Sequence, residues 1–466
     1  MSSLPRLIAI VVAATSIAGS ALAQGPVGGA VGGVMGGPLG GTLGGVMNGP
    51  VGQTVGTVTG AAGQSPASVQ ALQTLLGADP SQSPLVRPTL NSLGPSDLVE
   101  RLDPTSLLMI RRLRLDQLVR DYPRELDTDN DGNPVRRGEL IALDPDAASL
   151  AAARAAGFAV LRSEADSVLG MRYVTLSTPR GMSARSAVKR LRKAAPSLTF
   201  DYDHLYEPAG AALAVGGAAL PSQSAGPASG IRIAMIDGAV ASHPSLAAAR
   251  IEQRGFAGPA QPTGHGTAVA SLLVGNQGQF HGAARGAKLF VADVYGGNRA
   301  AGSASTIVRA LAWAASKQPR VINISLVGPP NALLQRAIAT LISHGIPVVA
   351  AVGNDGPAAP PQYPASYPNV IAVTGVDSRN RALPEAGRAK DLDFAAPGAD
   401  MIAALPGQNY ATVRGTSFAS PLAAARLALT GSAQRLTAEA RPGKGRVGRG
   451  VVCGDCRISP KLARTE

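Results

Sequence analysis

The chain has 466 residues, a formal net charge of +13 at pH 7 and only 3% aromatic residues. This length predicts two to four domains. A basic balance can serve nucleic acid, anionic surfaces or acidic substrates, but the sequence contains no nucleic-acid-binding motif. We therefore interpret the charge as a solvated basic surface and predict no nucleic-acid partner.

The amino terminus has the pattern of a secretory signal peptide over residues 1–23. Arg6 precedes an apolar run at residues 7–18, and Ala21-Leu22-Ala23 follows, an Ala-x-Ala pattern suited to cleavage. The run is short for a membrane span, and no later stretch is long and apolar enough to be one. The sequence thus predicts a secreted or periplasmic protein with no stable membrane span. An uncleaved anchor is the alternative.

Two segments of uncertain role follow. Residues 24–63 form a Gly-rich, low-complexity tract without charge, which cannot bury enough surface to offset its ordering entropy and is predicted to be flexible or self-associating. Residues 64–137 are predicted to be helical, with unknown role. Within them, residues 96–120 have leucines spaced for one helix face, interleaved with arginines and broken near Pro104. This pattern predicts a basic amphipathic helix that packs on a neighbouring domain, or binds a membrane surface.

The residues Asp-Thr-Asp-Asn-Asp-Gly at positions 127–132 resemble the first half of a calcium loop. Glu139 comes one residue after the twelfth position, and Pro134 departs from the usual loop. An ordinary Asp/Asn/Gly turn is the alternative. Calcium is the one cofactor for which the sequence offers a candidate site, and no other cofactor is predicted.

Residues 138–207 alternate between strand and helix patterns. The strands are predicted at 139–143, 158–162, 172–177 and 198–206, and the helices at 147–156 and 183–193, with Ser183 as a cap. This β-α-β-β-α-β order is typical of a ferredoxin-like α+β unit. Residues 208–229, mostly Ala, Gly, Pro and Ser, are predicted to be a flexible linker suited to cleavage.

Residues 230–430 predict an α/β domain with a doubly wound parallel sheet. Near-continuous apolar strands are predicted at 231–236, 289–294, 321–325, 347–352 and 370–374, and helices at 267–273, 303–316, 331–344 and 417–429. Such alternation indicates a parallel sheet covered on both faces. Ligands then bind beyond the carboxyl ends of the strands, where Asp237 falls.

Three polar residues in this domain can form a nucleophilic triad. Ser417, within Gly-Thr-Ser-Phe-Ala-Ser-Pro, begins a predicted helix, whose positive end favours developing negative charge. Serine needs an adjacent base, and His265 in Gly-His-Gly-Thr precedes another helical run, while Asp237 ends a strand. The order Asp, His, Ser is one of three unrelated solutions to the triad. Pro421 is expected in the first helical turn, where a missing N–H costs little.

With these motifs in this order, the chain resembles the subtilisin family of serine endopeptidases over about residues 229–430. The resemblance implies protein or peptide substrates, with Ser417 as nucleophile, His265 as general base and Asp237 as its orienting carboxylate. It also implies that residues 138–207 are a prodomain that aids folding and acts as an intramolecular inhibitor, its tail lying in the cleft near residues 204–206. A permanent accessory domain is the alternative.

The same resemblance assigns the substrate cleft. Asn354 matches the side chain that donates to the oxyanion, and Gln362 lies in the other wall of the specificity pocket. The strand that pairs with substrate is formed by Ser325, Leu326, Val327 and Gly328.

This sequence departs from the family pattern at several cleft positions. Val327 stands where glycine is usual, and Gln362 stands where the pocket floor is often small. Gly238-Ala239 replaces the usual Thr/Ser-Gly after the aspartate, and Ala268 replaces a frequent histidine. These departures concern specificity and efficiency more than the reaction itself.

Residues 431–466 are predicted to be a tail with Cys453 and Cys456. In an exported protein these residues form a structural disulfide or remain two free thiols, and a metal site would need more ligands than the region offers. Taken together, the sequence predicts a secreted serine endopeptidase made as a zymogen. The alternative from another class is a catalytically weak or inactive secreted interaction protein on the same fold.

Overall fold

The structure is a computed structural model and describes residues 104–209, 211–214, 228–407 and 409–460. The predicted signal peptide, the Gly-rich tract and residues 64–103 lie outside the described residues. Within the described ranges, no helix has both the length and the hydropathy needed to cross a bilayer.

The first part of the described chain contains a helix followed by an antiparallel sheet with two further helices. In chain order these elements are α1 (Pro104–Asp121), β1 (Leu126–Thr128), β2 (Pro134–Leu143), α2 (Ala147–Ala155), β3 (Ala159–Asp166), β4 (Met171–Ser177), α3 (Ala184–Ala194) and β5 (Thr199–His204). The four long strands lie in the order β5-β2-β4-β3, and every pair is antiparallel. The predicted ferredoxin-like unit is confirmed.

Helix α3 illustrates why this unit folds as predicted. Its residues Ala184, Ala187, Val188 and Leu191 are buried, at the spacing of one helix face. The side chain of Ser183 accepts a hydrogen bond from the Ser186 N–H, as expected of a cap.

The assignment of residues 64–137 as helical is wrong beyond Asp121. Strands β1 and β2 form a hairpin there. Asp129 accepts hydrogen bonds from the Asp131 and Asn133 N–H groups, and this local side-chain-to-backbone bonding favours a turn over a helix.

The remaining described chain forms the peptidase-like α/β domain and the segment leading into it. Its strands are β6 (Glu207–Pro208), β7 (Ala211–Ala214), β8 (Arg232–Asp237), β9 (Arg250–Gly255), β10 (Asn276–Gln277), β11 (Phe280–His281), β12 (Lys288–Asp293), β13 (Val321–Ile324), β14 (Leu326–Val327), β15 (Val348–Ala351), β16 (Ile371–Val376), β17 (Phe394–Pro397), β18 (Met401–Ala404) and β19 (Tyr410–Arg414). Its helices are α4 (Gly264–Val274), α5 (Ala304–Ser316), α6 (Ala332–Ser343), α7 (Thr416–Thr430) and α8 (Ala433–Glu439).

Seven strands form the central sheet in the order β17-β16-β15-β13-β8-β12-β9, and all of them are parallel. Alternate residues of β8 face opposite layers, as the strand period requires. Ile233 and Met235 pack in a core with α4 and α7, whereas Ala234 and Ile236 pack in a core with α5 and α6. The predicted doubly wound parallel sheet, covered on both faces, is therefore confirmed.

Strand β5 of the ferredoxin-like sheet contacts the amino ends of two peptidase-domain helices. Asp203 accepts hydrogen bonds from the Ser305 N–H (2.9 Å) and Oγ–H (2.7 Å) at α5, and Asp201 accepts from the Ala332 N–H (2.8 Å) at α6. Burial raises the pKa of Asp203, and the two bonds from Ser305 oppose that shift. These contacts direct the chain after β5 towards the cleft.

The predicted domain boundary at residue 430 is too early, because residues beyond it pack on the peptidase domain. Val452 is fully buried with α7, and the Ile402 N–H donates to the Ile458 carbonyl at 3.0 Å. Cys453 and Cys456 form a disulfide, which decides between the two alternatives for this pair.

Candidate active site

Asp237, His265 and Ser417 come together at one edge of the parallel sheet. Asp237 ends β8, His265 is the second residue of α4, and Ser417 is the second residue of α7. His265 Nδ1 lies 2.9 Å from Asp237 Oδ1, and its Nε2 lies 2.9 Å from Ser417 Oγ. Asp237 and Ser417 are fully buried. This line of hydrogen bonds can move a proton from the serine hydroxyl to the imidazole.

Close packing of backbone brings His265 to Asp237. A Cβ at Gly266 would lie 2.3 Å from the Gly238 carbonyl oxygen, so only glycine lets the start of α4 approach the end of β8 this closely. Thr263 caps α4 by accepting a hydrogen bond from the Gly266 N–H at 2.9 Å. The Gly-His-Gly-Thr motif therefore serves to place the histidine.

The turn before Ser417 also requires glycine. Gly415 has φ +140°, a conformation that L side chains rarely adopt, and its N–H donates to the Gly398 carbonyl at 2.8 Å. Helix α7 begins at the next residue, which leaves the Ser417 N–H free of an intrahelical acceptor. That N–H is available to a ligand in the cleft.

The carbonyl oxygen of Ala209 occupies the position of such a ligand. It accepts hydrogen bonds from the Ser417 N–H at 3.1 Å and from Asn354 Nδ2. The Asn354 amide is oriented by its own oxygen, which accepts from the Thr416 N–H at 3.0 Å. Two donors converge on one carbonyl oxygen, next to the serine hydroxyl, and this arrangement can stabilise negative charge on that oxygen.

The chain on either side of Ala209 is held as an extended strand. Strand β6 pairs antiparallel with β14, and the Ala209 N–H donates to the Ser325 carbonyl at 3.0 Å. Beyond Ala209, β7 pairs antiparallel with β19 in the register Ala211↔Arg414. The prediction that residues 208–229 are a free linker is wrong for their first described residues, which cross the cleft; residues 215–227 lie outside the described part.

A small apolar pocket holds the Ala209 side chain. Ala209, Val327 and Ala351 form one buried cluster. Gln362 is 3% exposed, and its Nε2 donates to the Pro360 carbonyl at 3.0 Å. Gln362 also packs closely on Gly353, which lies in the segment between Ala351 and Asn354. If Gly353 had a Cβ, that atom would be 3.2 Å from Gln362 Cγ.

The other predicted cleft residues lie along the same strand. Leu326 is fully buried and pairs with Pro208, while Gly328 pairs with Tyr363 through two backbone hydrogen bonds of 2.9 Å. Ser325, Leu326, Val327 and Gly328 therefore line the segment ending at Ala209, whereas Gln362 lies beside Gly353.

A buried polar network under Ser417 was not foreseen from the sequence. Ser325 Oγ donates to the Ser417 carbonyl at 2.9 Å and accepts from Asn323 Nδ2 at 2.9 Å, and Ser420 Oγ donates to Asn323 Oδ1 at 2.6 Å. The available signal was Asn323, a polar residue inside the apolar strand β13.

Pro421 explains the network. The prediction that it lies in the first helical turn is wrong, because α7 begins at Thr416 and Pro421 is its sixth residue. A proline there removes the N–H that would bond the carbonyl four residues earlier, which belongs to Ser417. Ser325, the residue between β13 and β14, supplies the missing donor. Its hydroxyl donates to the Ser417 carbonyl and so holds the backbone of the candidate nucleophile.

The described residues give little support for a metal at the predicted calcium loop. Asp127 accepts a hydrogen bond from the Ala184 N–H, and Asp129 accepts from Asn133 and from the His204 ring, so their oxygens already have donors. Calcium binding there stays a prediction. Among the described residues, the one group of three potential metal ligands contains Cys453 and Cys456, whose sulfurs form the disulfide.

We predict that Ser325→Ala lowers the free energy of unfolding by about 1–3 kcal/mol, because the buried Ser417 carbonyl then lacks a donor. The measurement is urea unfolding of full-length chains carrying Ser417→Ala, which prevents self-digestion. Ser316→Ala is the matched control, since that hydroxyl is exposed and caps only its own helix end; we expect a change within about 0.5 kcal/mol. Equal losses in both variants would contradict the role given to Ser325.

Comparison with known proteins agrees with this geometry. Residues 228–440 match Peptidase_S8, the subtilase family. Subtilisin Savinase from Lederbergia lenta is 36% identical over 211 residues, which is 43% of this chain and 76% of that protein. Subtilisin E from Bacillus subtilis is 35% identical over 216 residues, 43% of this chain and 55% of that protein.

A solved structure shares the fold. Fervidolysin from Fervidobacterium pennivorans, described as a keratinolytic enzyme related to subtilisin, matches with a TM-score of 0.58 at 19% identity, over 71% of this chain and 62% of that chain. This likeness concerns the fold alone, whereas the sequence identity to the subtilisins supports membership of their family. The chain belongs to the subtilase family and is a serine-type endopeptidase.

Proposed function

We propose that the protein is an exported serine endopeptidase made as a zymogen, and that its first substrate is the peptide bond after Ala209 of its own chain. One observation supports this proposal above the others. The Ala209 carbonyl accepts hydrogen bonds from the Ser417 N–H and the Asn354 side chain, while Ser417 Oγ is hydrogen-bonded to His265 Nε2. A carbonyl bound in this way is poised for attack by the serine.

The reaction then follows from the positions of the groups. Ser417 Oγ attacks the Ala209 carbonyl carbon while His265 Nε2 takes the hydroxyl proton, and Asp237 stabilises the resulting imidazolium. The two oxyanion donors bind the tetrahedral oxygen. Collapse breaks the C–N bond, and His265 gives its proton to the amine of Gly210. Water, activated by His265, hydrolyses the acyl group from Ser417 and regenerates the site.

The ferredoxin-like unit is proposed to be a prodomain that stays bound as an inhibitor after cleavage. In support, Asp201 and Asp203 bond the amino ends of α6 and α5, and Tyr206 is 1% exposed in the peptidase core. The Tyr206 N–H donates to the Gly302 carbonyl at 2.8 Å, and its hydroxyl donates to the Pro329 carbonyl at 2.8 Å. None of these contacts requires an intact bond after Ala209.

Export is proposed from residues 1–23, with a secreted or periplasmic destination. The Cys453–Cys456 disulfide suits an oxidising compartment. Protein or peptide substrates in that compartment would be cleaved after the prodomain leaves.

We expect Ser417→Ala to abolish processing, because no other group supplies the nucleophile. Full-length wild-type and variant chains, expressed in a protease-free host, are compared by gel and intact mass after signal removal. Ser343→Ala, at the exposed carboxyl end of α6, is the control and should shorten like wild type. If Ser417→Ala shortens to the same extent as wild type, self-processing is wrong.

We expect Asn354→Ala to lower the turnover of the mature enzyme by about two to three orders of magnitude, with substrate affinity little changed, since one oxyanion donor is lost. This magnitude is taken from the loss of such a donor in subtilisin. Steady-state kinetics on a peptide substrate gives both parameters, and thermal unfolding checks that the variant is folded. Near-normal turnover would leave Asn354 as a turn residue only.

The pocket around Ala209 predicts a preference for small or aliphatic residues before the cleaved bond. Val327 packs on Ala209 where a glycine would leave room, and a single methylene in such a pocket is worth about 1–3 kcal/mol. Aromatic residues should therefore be cleaved at least about tenfold less efficiently. A peptide-library profile measures this preference, and Val327→Gly should widen acceptance towards aromatics. A wild-type profile that favours Phe or Tyr would refute the assignment.

A further inference from the structure

A buried ion pair links the chain segments that carry the two oxyanion donors. Arg414, the last residue of β19, donates two hydrogen bonds to Glu385, from Nε to Oε1 at 2.8 Å and from Nη2 to Oε2 at 3.1 Å. The exposed fractions of the two side chains are only 10% and 5%. Two parallel bonds between a guanidinium and a carboxylate fix the direction as well as the distance between the groups. The pair therefore joins β19 firmly to the segment that contains Glu385.

The segment around Glu385 is bonded to the loop that presents Asn354. This loop runs from Gly353 to Gly356, and we call it the oxyanion loop. The Gly356 N–H donates to the Glu385 carbonyl at 2.8 Å, and the Gly387 N–H donates to the Gly353 carbonyl at 2.8 Å. The two bonds hold the loop on either side of Asn354. A displacement of Glu385 would therefore displace the backbone that carries the Asn354 amide.

Arg414 leads directly into the other donor. The chain turns after it into α7, which begins at Thr416 and has the candidate nucleophile as its second residue. Thr416 contacts the oxyanion loop twice, because its Oγ1 accepts from the Gly353 N–H at 3.1 Å and its N–H donates to Asn354 Oδ1 at 3.0 Å. The start of α7 and the oxyanion loop are thus joined by two links, Thr416 and the ion pair.

We propose that Arg414 and Glu385 are positioning residues for the oxyanion site, and that they act on the reaction through Asn354. This inference rests on the proposed function in one point, the role of Asn354 as an oxyanion donor. The two side chains bond each other rather than the Ala209 carbonyl. They hold the Asn354 amide where it can bind the tetrahedral oxygen, so loss of the pair weakens binding of the transition state more than binding of the substrate.

The first experiment measures steady-state kinetics of the mature enzymes on a peptide anilide. This substrate has no residues after the cleaved bond and so does not pair with β19. Chains that do not process by themselves are cut in trans by immobilised wild-type enzyme, and intact mass verifies each product. A small misplacement of a catalytic group is costly in rate, so we expect Arg414→Met and Glu385→Met each to lower kcat at least about tenfold, with KM within about twofold of wild type.

The double variant Arg414→Met/Glu385→Met separates positioning from stability. Removing one partner leaves the other charge buried and unpaired, which destabilises the fold, whereas removing both leaves no such charge. Urea unfolding of full-length chains in a Ser417→Ala background should therefore show a lower midpoint for each single variant and a return towards wild type for the double variant. The kcat of the double variant should stay at least about tenfold low, because two methionines make no directed hydrogen bonds. Recovery of kcat together with stability would leave the pair a structural role only and refute the inference.

A double-mutant cycle with Asn354→Ala tests whether the pair acts through that residue. If it does, loss of the pair matters little once the amide is gone, and Arg414→Met/Asn354→Ala should have a kcat within about threefold of Asn354→Ala alone. Independent effects would multiply, so the combined variant would be slower again by at least about tenfold. That result would contradict the inference and leave the oxyanion role of Asn354 intact.

The matched control is Arg426→Met, which breaks a different ion pair of a buried helix. Arg426 lies in α7, the helix of the candidate nucleophile, and its Nε donates to Glu439 Oε2 of α8 at 3.0 Å. This variant should keep kcat within about twofold of wild type. A wild-type kcat in Arg414→Met would overturn the inference alone. Near-normal turnover in Asn354→Ala would instead overturn the oxyanion assignment within the proposed function, and this inference with it.

Discussion

The candidate active site is arranged around one interaction, the binding of the Ala209 carbonyl by the Ser417 N–H and the Asn354 side chain. Both donors are fixed before any reaction: Ser417 by the start of α7, and Asn354 by its bond to the Thr416 N–H. Fixed donors need no reorganisation when charge develops on the oxygen. In the zymogen that we propose, the same two bonds would account for latency, because a segment bound here occupies the place of any other substrate.

Much of the fold and the central site could be predicted from the sequence. Most strands of the parallel sheet are short apolar runs. When such runs alternate with helices, few folds other than a parallel sheet covered on both faces can bury them. Asp237, His265 and Ser417 could be found because each lies in a motif with a local physical need, such as the close approach at Gly266. The cap at Ser183 and the helix after it followed from the same local rules.

The features that were missed depend on tertiary context. Strand β9 lies at the sheet edge, and its polar sequence Arg-Ile-Glu-Gln-Arg-Gly has no apolar run to mark it. The structure shows that α7 begins at Thr416, which places Pro421 inside the helix. Only then does it become clear that the Ser417 carbonyl needs a donor from outside the helix, which Ser325 supplies. Arg414 and Glu385 belong to separate segments of the sequence, and only the structure shows that they form a buried pair. The Ala-, Gly-, Pro- and Ser-rich composition of residues 208–229 indicates a flexible linker. It does not reveal that the first residues of this segment pair with β14 and β19.

The central claim is that the bond after Ala209 is the one held for attack, and isotope labelling tests it directly. The full-length chain is allowed to process in water enriched in ¹⁸O, and the fragments are analysed by mass spectrometry. Hydrolysis of an acyl group on Ser417 predicts an amino-terminal product ending at Ala209 with ¹⁸O in its new carboxylate, and a second product beginning at Gly210. A labelled carboxylate at any other residue, with the bond after Ala209 intact, would contradict the account.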